Sequence, residues 1–260
     1  MLLYPQLTSG ALSQFPLRRH HCFRTLLNTA ADGTVVKLAD SGAETIEWQL
    51  NYSGLSDVEL AALVQFFAAT EGTLNSFTFL DPTGNLLAWS DDLSNAVWSA
   101  GPLISATAAN ADPLGGNNAW SLVNAGLGVQ DVYQTVMTPG GYLYTLSLYV
   151  KAAAGTTVNL LLGGTLYARL AGPSWQRLQC TGNTDPTAAS VTFGVELTAS
   201  TTVEIYGIQV EPQGSPSPYK ASTTGGCYVN ARFRDDMLSF ISTGVNCHSA
   251  TVNILYASHL

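Results

Sequence analysis

Three rings in this 260-residue chain adjoin Gly- or Asn-rich loops and are candidates for meeting a sugar: Trp120 in "GGNNAWSLV", Tyr142 directly after "TPGG", and Tyr167 in "GGTLYARL". Recognising a pyranose takes an exposed aromatic face for its C–H side, with amides or carboxylates alongside for the hydroxyls. Asn117 and Asn118, immediately before Trp120, are side chains of that kind. Each ring also has an ordinary alternative, packing at a sheet edge. Carbohydrate binding by Trp120, Tyr142, Tyr167, Asn117 and Asn118 is the expectation to set against a structure.

A second constellation has the look of a metal site. His20, His21 and Cys22 near the start, with Cys247 and His248 near the end, would supply zinc ligands if the chain ends meet. Ligands standing side by side are not the usual spacing of structural zinc, so the expectation is no metal. The four cysteines, at 22, 180, 227 and 247, contain no C-x-x-C pair and are expected as free thiols. No P-loop, G-x-S-x-G, H-E-x-x-H or dinucleotide-binding glycine pattern occurs in its required context. Asp91-Asp92 and Asp235-Asp236 are paired only in sequence; on a strand, neighbours point to opposite faces and make no acid–base couple. The chain is expected not to be an enzyme.

Composition narrows the partners. Hydrophobic residues make up 46% and charged residues only 11%, which describes a packed protein rather than a disordered one. Net charge is −8, against the basic concentration that nucleic-acid binding requires. No apolar run is long enough for a transmembrane helix, so membrane insertion is not expected. The opening "MLLYPQLTSG" lacks the basic region and continuous apolar stretch of a signal peptide, and secretory export is not expected.

The elements that must position these residues follow from periodicity. "TVVKLAD" (34–40) reads as a strand and "ETIEWQLNYS" (44–53) as a clearer one, with Ile46, Trp48, Leu50 and Tyr52 alternating and "DSGA" as a turn between them. Ser56 and Glu59 form an S-x-x-E capping box. Leu60, Leu63, Val64 and Phe67 then give a helical apolar stripe, which Gly72 closes. A strand follows at 76–80. Between residues 86 and 222 the pattern is all-β, with strands at 132–138, 144–152, 157–164, 175–183, 190–198 and 202–210 separated by Gly, Pro or Asn clusters. That is the signature of an antiparallel jelly-roll sandwich.

"EPQGSPSPYKASTTGG" (211–226) reads as a semi-rigid, proline-bearing linker. Beyond it, "YVNARFRDD", "MLSFIS" and "ATVNILYAS" resume in the earlier style. Three strands there cannot bury a core alone, and three strands and a helix before residue 85 are marginal. The expected organisation is therefore mainly β: an α+β outer domain, 1–85 plus 223–260, with an all-β jelly roll, 86–222, inserted in a loop. Each part carries a net charge of −4.

The outer segments "FPLRRHHCFRT", "EWQLNYSGLSDVELAALVQFFAATEGTLNSFTFLDP" and "ARFRDDMLSF" resemble, in order, the distal tail and related minor tail proteins of long-tailed bacteriophages and gene transfer agents. The insert, with "NLLAWSDDLSNAVW" at its start and "IYGIQVEPQGSPSPYKAST" at its end, resembles carbohydrate-binding-module-like jelly rolls. The resemblance implies a homohexameric ring joining the tail tube protein to the tail hub protein in a virion assembled in the host cytoplasm, with the insert facing host-surface glycans. It also implies core packing for Trp98 and Trp175, and a structural calcium near Asp91, Asp92 and Glu211 as an option, no cofactor being expected otherwise. "RFRDD" (232–236) reads as a ring-interface ion pair or a solvated hairpin end. Two rivals stand beside this reading: an insert that only docks other tail proteins, and a carbohydrate-binding adhesin unrelated to phage.

Overall fold

The computed structural model describes residues 2–257, and it is mainly β. The first part of the chain forms β1 (Arg18–Thr29), β2 (Val35–Leu55), α1 (Asp57–Ala69) and β3 (Phe77–Leu80). The middle forms β4 (Ser99–Ala100), β5 (Ile104–Asn110), β6 (Ala119–Asn124), β7 (Gln130–Val136), β8 (Leu143–Ala152), β9 (Thr156–Leu162), β10 (Thr165–Ala171), β11 (Gln176–Asn183), β12 (Val191–Leu197) and β13 (Thr202–Glu211). The last part forms β14 (Cys227–Phe233), β15 (Ser239–Gly244) and β16 (Cys247–Ala257). Ser258, the final residue of the strand expected there, lies outside the described residues.

Two compact units result. Unit 1 comprises Met1–Thr8, Leu12–Phe79 and Tyr228–Leu260; unit 2 comprises Ser9–Ala11 and Leu80–Cys227. The sheet of unit 1 runs β1-β2-β16-β14-β3, with β15 also paired to β16. The capping box forms as the sequence requires: Ser56 Oγ accepts from Glu59 N at 3.2 Å, and the Glu59 carboxylate accepts from Ser56 N at 2.9 Å. The helix buries Leu60, Leu63 and Phe66, while Val64 is 38% exposed. The stripe is thus rotated from the expected one, because Phe66 is drawn into an aromatic cluster. Its ring lies 5.5 Å from Tyr4, 5.0 Å from Phe77 and 5.7 Å from Phe233. The helix ends at Ala69, and both Glu71 and Gly72 are left-handed.

The expected turn at "DSGA" does not form. β2 runs unbroken for 21 residues because β1 pairs along it, and a bulge between Cys22 and Arg24 takes up the irregularity opposite Asp40–Thr45. β16 pairs with β2 only from Thr45 to Leu55, so the outer part of the β1–β2 ribbon is two strands alone. All twelve residues of β1 are exposed.

Unit 2 is a jelly-roll sandwich of two five-stranded sheets, β10-β9-β12-β7-β4 and β11-β8-β13-β6-β5. Alternation assigns the faces. Tyr144, Leu146, Leu148 and Val150 of β8 are buried in the core with Val203, Ile205, Ile208 and Val210 of β13. Val158, Leu160 and Leu162 of β9 and Phe193, Val195 and Leu197 of β12 fill it from the other sheet. Each such side chain contributes about 1.5–3 kcal/mol by leaving water. The odd-numbered residues of β8 face outward, and they begin the site.

Candidate functional site

Three strands put one row of side chains on the outer face of the β11-β8-β13 sheet: Arg177 opposite Tyr149, and Tyr149 opposite Tyr206. The Tyr149 and Tyr206 rings are 6.1 Å apart, and the Arg177 guanidinium lies 5.5 Å above Tyr149. Arg177 donates from Nη2 to Ser147 Oγ at 2.9 Å, and no ion pair engages it among the described residues. In the next row, Lys151 pairs with Glu204 at 2.9 Å and lies 5.8 Å over Trp175. Tyr149, Arg177 and Trp175 are half-buried, Gln179 is exposed, and Tyr206 is buried beneath. Two reachable rings flanked by guanidinium, ammonium, carboxylate and amide groups suit a hydroxylated ligand with an apolar face.

One end of this face is closed by the segment expected as a linker. Glu211 is 1% exposed. Its carboxylate accepts from Ser217 N at 2.9 Å, Ser217 Oγ at 2.5 Å and Gln209 Nε2 at 2.7 Å, with Lys220 Nζ at 3.4 Å. A buried charge persists only when satisfied in this way. The proline-bearing stretch is therefore clamped onto the sheet, not a free tether. Gly207 (φ 64°) makes room for it: a Cβ there would stand 3.1 Å from the Tyr219 ring. Burial, then the hydrogen bond to Asp91, pushes the Tyr219 hydroxyl well above the ordinary tyrosine range.

The sequence-predicted residues do not converge. Trp120 is half-buried on β6 opposite the core residue Ile205, and its Nε1 donates to the Asp91 carbonyl at 2.9 Å. Asn117 and Asn118 are exposed on the preceding loop, where Asn118 N donates to Asp112 Oδ2 at 3.1 Å. Burial raises the Asp112 pKa, but N–H donors from Asn118, Gly116 and Leu114 outweigh it and hold the carboxyl below its usual range. Tyr167 is half-buried on β10, its hydroxyl over Gly182, where a Cβ would come within 2.3 Å. Tyr142 is 7% exposed and its ring centroid lies 6.1 Å from that of Tyr144, so its faces are spent on packing; burial raises its pKa. Trp175, expected in the core, stands instead at the edge of the outer face. Trp98 is buried as expected.

Neither metal constellation assembles. Cys22 faces Thr45 of β2 while His248 faces Leu55, ten positions and about 33 Å along the strand. His248 instead bonds Ser242 Oγ at 2.8 Å and Asp57 Oδ1 at 2.6 Å. Glu211 is consumed in its own network, and no three metal-ligating side chains cluster among the described residues. Within "RFRDD", Arg234 pairs with Glu47 of the same chain at 2.8 Å. No described helix is long and apolar enough to cross a membrane.

The residues missed from sequence are Tyr149, Arg177, Tyr206 and Tyr219. Tyr149 and Tyr206 carried a signal, being on the outward phase of clear strands; nothing local marked Arg177.

No protein-family model and no curated protein matches the chain. Some solved structures align with part of it. The C-terminal family 22 carbohydrate-binding module of Clostridium thermocellum Xyn10B aligns with a TM-score of 0.42 and 13% identity, over 54% of this chain and 99% of that one. TmCBM61, solved with β-1,4-galactotriose, aligns at 0.38 and 14%, over 48% and 97%. The enzymatically active domain of bacteriophage CBA120 tailspike protein 4 aligns at 0.40 and 14%, over 50% of this chain but only 22% of the tailspike chain.

Proposed function

We propose that this chain is a non-catalytic adhesive and structural protein: unit 2 binds glycans reversibly, and unit 1 assembles with further copies into a ring at a bacteriophage tail tip, between tube and hub. The observation that carries the glycan reading is the Arg177–Tyr149–Tyr206 row with Trp175 beside it, an aromatic shelf bearing hydrogen-bond donors on an otherwise polar sheet face. A glycan array probed with the full chain tests it. Hits lost in Tyr149→Ala and Arg177→Ala, and kept in Asn117→Ala, are expected. An array without hits overturns glycan binding and favours an insert that only docks other tail proteins.

Self-assembly has its own support. The β1–β2 ribbon exposes Phe23 (71%), Leu27 (63%) and Val35 (51%) on one face and Leu26 (44%) and Leu38 (47%) on the other. A two-stranded ribbon is marginal alone, and aliphatic surface on both its faces calls for a covering partner. β15 offers a second exposed apolar strand, with Ile241 at 68% exposure and Phe240 at 48%. Two different sticky surfaces on one chain favour head-to-tail contacts, which close into a ring when the rotation allows. Repeated copies then raise weak single-site affinity through avidity. Sedimentation is expected to show a closed oligomer that Leu27→Ser disperses. A monodisperse monomer at high concentration, alone and with its tube protein, refutes the ring.

A further inference from the structure

The loop from Ala88 to Asp92 in unit 2 holds an arrangement that the sheet face does not use. Trp89 has a left-handed backbone (φ 47°) and a 40% exposed side chain. For a bulky residue this is a true outlier, and such conformations persist only where the surroundings over-determine them. Here they do. Trp98 Nε1 and Asp92 N both donate to the Trp89 carbonyl at 3.0 Å. Trp120 Nε1 fixes the Asp91 carbonyl at 2.9 Å, and Gln134 bonds both the N–H and the carbonyl of Ala88 at 2.9 Å. The Tyr219 hydroxyl joins Asp91 Oδ1 and, at 2.8 Å, Ser90 Oγ.

The indole held out in this way walls an open cleft of about 320 Å³, completed by Asp91, Asp92, Ala221, Ser222 and Thr223. That is the small end of ligand clefts, about 300–1,000 Å³. Asp91 spends Oδ1 on Tyr219, and Asp92 spends Oδ1 on Ser94 N (3.0 Å) and Oγ (2.5 Å). Among the described residues the second oxygen of each carboxylate takes no hydrogen bond, and no basic side chain pairs with either. An aromatic face beside two uncompensated negative charges selects a cation carried on a C–H-rich body. We infer that this cleft is a second ligand subsite and takes a protonated amino sugar. The ring's C–H face rests on Trp89, the ammonium turns to Asp91 and Asp92, and hydroxyls meet Ser222 and Thr223. The site is independent of Tyr149 and Arg177.

Calorimetric titration of the full chain with a glucosamine trimer near pH ~6, where the amines are protonated, tests this against the N-acetylated trimer. The amine form is expected to bind, more weakly as salt rises, and about tenfold better than the acetylated form. Trp89→Asn removes the indole but keeps a residue tolerant of left-handed backbone, so binding should fall about tenfold with no loss of melting temperature. Asp92→Asn keeps the acceptor on Ser94, removes the charge and should weaken binding similarly. Asn117→Ala, exposed and outside both the sheet face and the cleft, should leave this titration unchanged. Equal binding of both trimers, no binding of the amine, or amine binding indifferent to Trp89→Asn and Asp92→Asn overturns the inference.

Discussion

Glu59→Gln is the sharpest single test of how unit 1 is held together. The Glu59 carboxylate accepts four hydrogen bonds: from Thr8 N (2.8 Å) and Oγ1 (2.7 Å) on one oxygen, and from Ser56 N (2.9 Å) and Oγ (2.8 Å) on the other. It therefore caps α1 and pins the segment bearing Tyr4 of the aromatic cluster. Burial raises its pKa, but the backbone donors of Ser56 and Thr8 and their hydroxyls overcome this and hold it at about 2, below its ordinary 4.5. A carboxylate so displaced would contribute about 3 kcal/mol if fully shielded. Glu59 is only half-buried, and solvent screening reduces this to about 1–2 kcal/mol. Because the folded-state value lies below the ordinary one, the contribution is whole above about pH 4.5 and disappears as pH falls through about 2. Gln cannot accept on its amide nitrogen, so the neutral variant loses this term at every pH. Hydrogen exchange of the α1 amides reads unit 1 without interference from the tryptophans of unit 2. Protection should fall about five- to thirtyfold at neutral pH, and the two proteins should converge as pH approaches ~2. An undiminished protection at neutral pH, or an equal loss at both, refutes the reasoning.

Other outcomes follow from the same physics. Phe66→Ala should cost unit 1 about 3–5 kcal/mol and Val64→Ala less than about 0.5 kcal/mol, measured by urea unfolding; equal costs would return the helix to the face expected from sequence. Lys220→Met leaves Glu211 buried without its cation and should destabilise unit 2 by about 3 kcal/mol, with Glu211→Gln in the same chain recovering most of the loss. A thiol titration of the native protein near pH ~8 should show fast reaction of the exposed Cys22 and Cys247 only, since burial pushes Cys180 and Cys227 up to about 12. Fast reaction of all four thiols would contradict that burial.

The sequence by itself determined what depends on neighbours a few residues apart. The Ser56–Glu59 box is readable because donor and acceptor are three residues apart on the same turn. The strands at 144–152, 190–198 and 202–210 are readable because a half-buried sheet imposes a period of two on each strand separately. β1 and β5 escaped because they are largely exposed and carry no such alternation. Tertiary structure alone decided the rest. Whether Tyr142 or Tyr149 offers a face depends on what covers each ring, and "DSGA" reads as a turn until β1 pairs along β2. The Arg177–Tyr149–Tyr206 row and the Trp89 cleft each join residues far apart in sequence, brought together by strand register and by the folding-back of the chain after Glu211. Those contacts are set by the pairing of whole strands, and no local pattern encodes which strand lies next to which.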